Sequence, residues 1–203
     1  MQVALVNNLH FNSLLDFDLH EVPDKLRLST PPLGLLLLGA ILGKEGHNVS
    51  VVDFGGLAKS GAIPTTDDFY PEAARYLAGI EPDCVGFTTR CDNYHCVARI
   101  AGEFKRISPA TPIVFGGPQA TVTDIDSLKL FPFLDFVVRN EGEETFPELL
   151  NQLGGKRDFG SVASLSWRKG GEPIGNPARP LIRDLDAYPI PAYHLYQYDF
   201  NDR

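Results

Sequence analysis

Cysteine is scarce in this chain: Cys84, Cys91 and Cys96 are the 3 in 203 residues. An odd count without a secretory lead argues against a disulfide framework. Basic runs are also missing, and the net charge is −8 with a pI near 5.0. Such a chain is not drawn to phosphate backbones or anionic lipid. The longest apolar stretch, residues 33–42, contains Gly39 and is too short to span a bilayer. The first eight residues carry no basic side chain and too short an apolar run for a signal peptide. These absences predict a cytoplasmic protein with neither nucleic acid nor membrane as partner.

Several chemical signatures are absent as well. No G-x-G-x-x-G follows the first apolar run, which leads into Asn7-Asn8-Leu9-His10. Asp53 stands where a dinucleotide enzyme would hold ribose, but without those glycines that reading falls. There is no Walker loop and no G-x-S-x-G. Cys91, His95 and Cys96 fit no standard zinc spacing, and His10, His20, His47 and His194 are scattered. No protein metal site is predicted.

What the chain does have is alternation. Apolar runs at 3–6, 49–54, 84–88, 113–115 and 136–138 read as strands. Between and after them, 31–44, 69–78, 94–107, 123–130 and 143–153 read as helices. The first helix is apolar nearly all round, with Ser29 or Thr30 as its cap, so it should be deeply packed. In 94–107 the apolar face is Val97, Ile100, Ala101 and Phe104. Continuous apolar strands separated by helices predict a doubly wound α/β fold with a five-stranded parallel sheet. The order is flavodoxin-like, with Rossmann order as the alternative. Residues 1–155 form this domain. Residues 156–203 read as a β-hairpin around Lys169-Gly170-Gly171 and then a Pro-rich extended connector.

In such a sheet, ligands sit outside the carboxyl ends of the strands, where strand order reverses. That places candidate contacts at Asn7, Asn8, Leu9 and His10, in a long loop that is either functional or an insertion. A polar loop follows the third strand, with Thr88, Thr89, Arg90, Cys91, Asn93 and Tyr94. It reads equally as a ligand wall and as a helix start capped by Asp92 or Asn93. Gly116, Gly117, Pro118 and Gln119 follow the fourth strand, where paired glycines admit either a ligand or a tight turn. Glu143 and Glu144 complement a helix dipole, whereas Glu141 is free to meet a ligand hydroxyl or a neighbouring domain.

Five segments in order resemble the N-terminal cobalamin-binding domain of B12-dependent radical S-adenosylmethionine enzymes. They are Pro31-Pro32-Leu33-Gly34 through Gly46-His47-Asn48-Val49 to Asp53; Val85-Gly86-Phe87-Thr88 with Asn93-Tyr94; Phe115-Gly116-Gly117-Pro118-Gln119-Ala120-Thr121; Arg139-Asn140-Glu141-Gly142-Glu143-Glu144; and Arg179-Pro180-Leu181-Ile182 with Pro189-Ile190-Pro191-Ala192. Gln119 replaces the family's histidine and Asn140 its glycine. The Asp-x-His-x-x-Gly motif that supplies a cobalt ligand elsewhere is absent.

The resemblance implies a corrin over the strand ends without a protein histidine ligand. It also implies a parent enzyme of methyltransferase or cyclase type that uses an iron–sulfur cluster and S-adenosylmethionine. The partner would be a radical S-adenosylmethionine catalytic domain, in the same polypeptide or a partner chain. No cysteine follows Cys96, so the Cys-x-x-x-Cys-x-x-Cys cluster motif does not occur here and the chain alone is not expected to catalyse. Two other readings stand beside this one. One is a cofactor-free scaffold of the same fold. The other is an independent enzyme with Cys91 as nucleophile, its thiol at a helix start.

Overall fold

The computed structural model describes residues 1–7, 31–66, 68–184 and 186–196. Its centre is a sheet in the order β2-β1-β3-β4-β5-β6-β7. The strands are β1 (Gln2–Asn7), β2 (Asn48–Asp53), β3 (Cys84–Thr88), β4 (Ile113–Gly116), β5 (Phe136–Val138), β6 (Leu165–Lys169) and β7 (Glu172–Gly175). The first five are parallel, in the flavodoxin-like order. The two strands of the expected hairpin join the parallel five in one sheet of seven. The hairpin does not stand apart: β6 runs antiparallel along β5, pairing Val138 with Leu165 and Phe136 with Trp167. The physical reason is that β5 is buried and its outer edge needs a hydrogen-bonding partner. Gly170 and Gly171, both at positive φ, make the tight turn from β6 to β7.

Helices cover both faces. On one side lie α1 (Leu33–Lys44) and α7 (Thr145–Leu153), with Leu35, Leu42, Phe146, Leu149 and Leu150 against Val3, Leu5, Val114 and Val138. Gly86 has no side chain because the Phe146 ring takes that space; a Cβ there would lie 3.0 Å from it. On the other side lie α2 (Phe54–Lys59), α3 (Phe69–Gly79), α4 (Tyr94–Ile107), α5 (Pro118–Val122) and α6 (Asp124–Leu130). Phe69, Leu77, Val97, Ile100 and Phe104 lock α3 to α4 and to the sheet.

Some boundaries differ from those expected. The helix read at 123–130 is α6, a short α5 before it was not expected, and α7 begins at Thr145 instead of 143. Short α2 was not expected, since two of its six residues are glycine; Asp53 starts it by accepting from the Gly55 amide at 3.1 Å. The expected caps Ser29 and Thr30 lie outside the described residues, and among the described residues no side chain caps α1. The C-terminal end of α6 is held instead from β6: the Arg168 guanidinium donates to the carbonyls of Leu128, Phe131 (2.9 Å) and Leu134.

Among its described residues the connector has no regular element beyond a 3-10 turn at Tyr193–Leu195. It is nevertheless laid against the helices. Arg179 pairs with Glu144 and Glu148 on the α7 side, and the Ala192 amide donates to the Leu36 carbonyl of α1 at 3.0 Å. Gly39 makes room for Leu195, since a Cβ there would sit 2.8 Å from its methyl carbon. This explains why α1 is apolar all round: the sheet covers one flank and the connector another.

Candidate functional site

Strand order reverses at β1 and β3, so the crevice of this fold opens beside Asn7 and Thr88. Asn7 is buried and donates from its amide to Asp53 at 3.2 Å. Asn8, Leu9 and His10 lie outside the described residues.

Thr89 is the knot of the site. It is fully buried, and its amide and hydroxyl both donate to the Gly116 carbonyl at 2.8 Å. The same hydroxyl accepts from the Ala120 amide at 2.9 Å, and the Thr89 carbonyl accepts from the Gln119 amide at 3.3 Å. The β3 and β4 loops are thereby tied together. Gly117 crosses over this knot at φ +93°, and a Cβ there would lie 2.6 Å from the Thr89 carbonyl oxygen. The close approach at Gly117 is therefore made by the protein's own backbone. Gly116 differs: among the described residues a Cβ there would meet only the Val138 carbonyl oxygen, at 3.7 Å. Pro118 opens α5, where a missing N–H costs nothing.

Asn93 occupies the N-cap position of α4 without capping it by side chain. Its amide oxygen turns back to accept from the Arg90 amide at 2.8 Å, which shapes the 89–93 loop. Its amide nitrogen is buried with no hydrogen-bond partner among the described residues. A buried donor left unpaired costs about 1–3 kcal/mol unless something satisfies it. Arg90 and Cys91 are exposed at the loop tip, with Arg90 3.5 Å from Asp92. Tyr94 turns the other way, its ring against Phe115 and Phe131 and its hydroxyl on Ser127.

After β5, Asn140 stands at φ +60°, in the left-handed region that glycine favours and asparagine tolerates. That accounts for asparagine at a position where the family pattern has glycine. Glu141 accepts from the Ile182 amide at 2.6 Å, so its carboxylate faces the connector. The structure thus gathers Asn7, Thr88, Thr89, Asn93, Gly116 and Gly117 at the crevice, while Tyr94 and Glu141 are engaged elsewhere. The Asp53 link to Asn7 went unread in the sequence, although an acidic residue closing β2 was the available signal.

His95 lies 3.2 Å from Cys96, and His47 and His194 line an open cavity of about 550 Å³ between α1 and the connector. Cys96 is buried 3.6 Å from the Tyr70 hydroxyl, whose pKa burial pushes up to about 12. Burial likewise raises the thiols of Cys84 and Cys96. Thiolate is the reactive form, so iodoacetamide should modify Cys91 alone in the folded chain and all three cysteines after unfolding, read by intact mass. Modification of Cys84 or Cys96 under native conditions would contradict this packing. No helix of the described residues is long and apolar enough to cross a membrane.

Comparison with known proteins converges on one family. A profile for the B12 binding domain matches residues 22–150. An uncharacterized methyltransferase of Pyrococcus horikoshii is 34% identical over 169 residues, 83% of this chain and 35% of that protein. The anaerobic magnesium-protoporphyrin IX monomethyl ester cyclase of Synechocystis sp. is 30% identical over 162 residues, 79% of this chain and 31% of its own. Among solved structures, the radical S-adenosylmethionine methyltransferase TsrM of Kitasatospora setae, with cobalamin and a 4Fe-4S cluster bound, has the same fold. Its TM-score is 0.65 at 20% identity, over 93% of this chain and 31% of TsrM. The chain spans about a third of the length of these relatives.

Proposed function

Because the chain belongs to the B12-binding domain family, we propose that its strand-end face seats cobalamin and presents the corrin to a radical S-adenosylmethionine catalytic domain. The observation that carries this is the unpaired, fully buried Asn93 amide nitrogen at the crevice of a flavodoxin-order sheet. A corrin's peripheral amides offer the acceptors such a donor needs. Thr88 and the open flank of Gly116 supply the neighbouring polar edge and the clearance. Glu141, engaged with Ile182, is assigned to the connector and not to the cofactor.

The residues of this chain bind and orient; none of those at the crevice is placed as an acid, base or nucleophile. When bound, cobalamin supplies methyl transfer or support for ring formation, the two kinds of chemistry found in the relatives. Cluster ligands would come from outside this segment, since no cysteine follows Cys96. The catalytic partner is the part of the relatives that this chain does not span. It is either continuous with the connector or a separate chain.

The test is titration with hydroxocobalamin, followed by visible absorption. One saturable equivalent per chain is expected. Asn93→Leu should weaken it about tenfold, the equivalent of one lost buried hydrogen bond of about 1.4 kcal/mol. Gly116→Val should weaken it at least as much while leaving the unfolding midpoint within about 1 kcal/mol of the parent. No saturable change up to high micromolar cofactor, with the chain folded, would refute the reading.

A further inference from the structure

Residues 179–184 and 186–196 include contacts at both walls of the crevice. At the β5 end the Ile182 amide donates to Glu141 at 2.6 Å. At the β2 end the Tyr196 hydroxyl donates to the second carboxylate oxygen of Asp53 at 2.7 Å. The first oxygen of that carboxylate holds the Asn7 amide, at 3.2 Å, and the start of α2, at 3.1 Å. Asp53 is therefore shared between β1, α2 and the connector. Between these two latches the Tyr188 hydroxyl donates to Glu144 at 3.1 Å, and Ala192 and Leu195 meet α1 at Leu36 and Gly39. The cavity of about 550 Å³ lies beneath it, and Ile190 and Tyr193 remain exposed. Polar latches thus fix both ends of a segment that Ala192 and Leu195 pack onto α1, and loss of a latch frees its end.

We propose that this connector is a strap whose docking is coupled to cofactor occupancy through the Tyr196–Asp53–Asn7 chain of hydrogen bonds. The inference rests on the cobalamin reading. When the crevice is filled, Asn7 and with it the Asp53 carboxylate are held in one orientation, the one that receives Tyr196. Coupling of this kind is reciprocal: the factor by which the cofactor tightens the strap is the factor by which the strap tightens the cofactor. The consequence is that the path of the chain leaving this domain depends on whether the corrin is in place. An empty domain presents a loose strap to whatever follows it, and a loaded one presents a fixed strap.

Two measurements on the full chain test this, amide hydrogen exchange over 190–196 and hydroxocobalamin titration. In the parent, cobalamin should slow exchange of the Ala192 and Leu195 amides. Tyr196→Phe should weaken cobalamin about fivefold and reduce that protection by a similar factor. Leu195→Ala, which leaves Asp53 untouched, should loosen the strap and weaken cobalamin in the same sense, with the circular dichroism spectrum unchanged. Cofactor affinity and exchange in Tyr196→Phe both equal to the parent would overturn the coupling. If the parent itself shows no saturable absorption change, the cobalamin reading fails and the coupling with it. Faster exchange at 190–196 in cofactor-free Tyr196→Phe would then still establish the latch.

Discussion

Gly117→Val should lower folding stability by about 3–5 kcal/mol, a drop of about 2 M in urea midpoint, whether or not cobalamin is present. The residue sits at φ +93° with ψ 178°, a combination that is open in practice only to glycine. Strain is the smaller part. A side chain there would start 2.6 Å from the Thr89 carbonyl oxygen and 2.9 Å from its nitrogen. Neither atom is able to retreat, because Thr89 is fully buried and bound to Gly116, Gln119 and Ala120. The adjacent Gly116→Ala meets nothing closer than 3.7 Å and should fall within about 1 kcal/mol of the parent. Adjacent glycines thus separate two causes. Lost cofactor binding at Gly117 reports a damaged loop, whereas lost binding at Gly116 with unchanged stability reports contact. A Gly117→Val chain as stable as its parent would mean that the crossing over Thr89 is not as described.

The second large effect lies far from the crevice. Arg168→Met should cost about 2–4 kcal/mol, because it keeps the aliphatic stem and removes the donors that satisfy three carbonyls. Two of those carbonyls belong to Leu128 and Leu134, which are buried. Water has poor access to replace the guanidinium. Arg168→Lys should recover less than half of the loss, since an ammonium is a single point and does not span carbonyls of three residues as a planar fork does. Thermal or urea unfolding measures both. Equal stability of the methionine and arginine forms would show that solvent satisfies those carbonyls.

Much of the scaffold was legible because strands buried on both faces leave an unmistakable trace. Cys84–Thr88 and Phe136–Val138 were bounded correctly from their apolar runs alone, and Tyr94–Ile107 from the spacing of Val97, Ile100, Ala101 and Phe104. The turn at Gly170-Gly171 was legible for a local reason, the need for positive φ at both residues. What stayed hidden depends on distant partners. The pairing of Leu165 with Val138 follows from an unsatisfied edge, not from anything in residues 161–168. The docking of the connector rests on hydrogen bonds such as Tyr196 to Asp53, between residues 143 apart in sequence. At the crevice the chemistry-bearing loops were located by strand order, but the division of labour within them was not. Nothing local distinguishes Gly117, which clears a path for Thr89, from Gly116, which leaves a flank open. Nor does the sequence say that Asn93 spends its oxygen on Arg90 and keeps its nitrogen unpaired.

Strand β7 ends the sheet, and Pro173 stands opposite Arg168 within it. Proline offers no N–H, and Lys169 and Glu172 bring charge to the same short ribbon. An extended segment approaching that margin finds an incomplete row of donors and a charged border, so this side of the molecule is closed to strand addition and to edge-to-edge self-association. Whatever engages this margin is left to do so through side chains, and the edge is blunted within four residues.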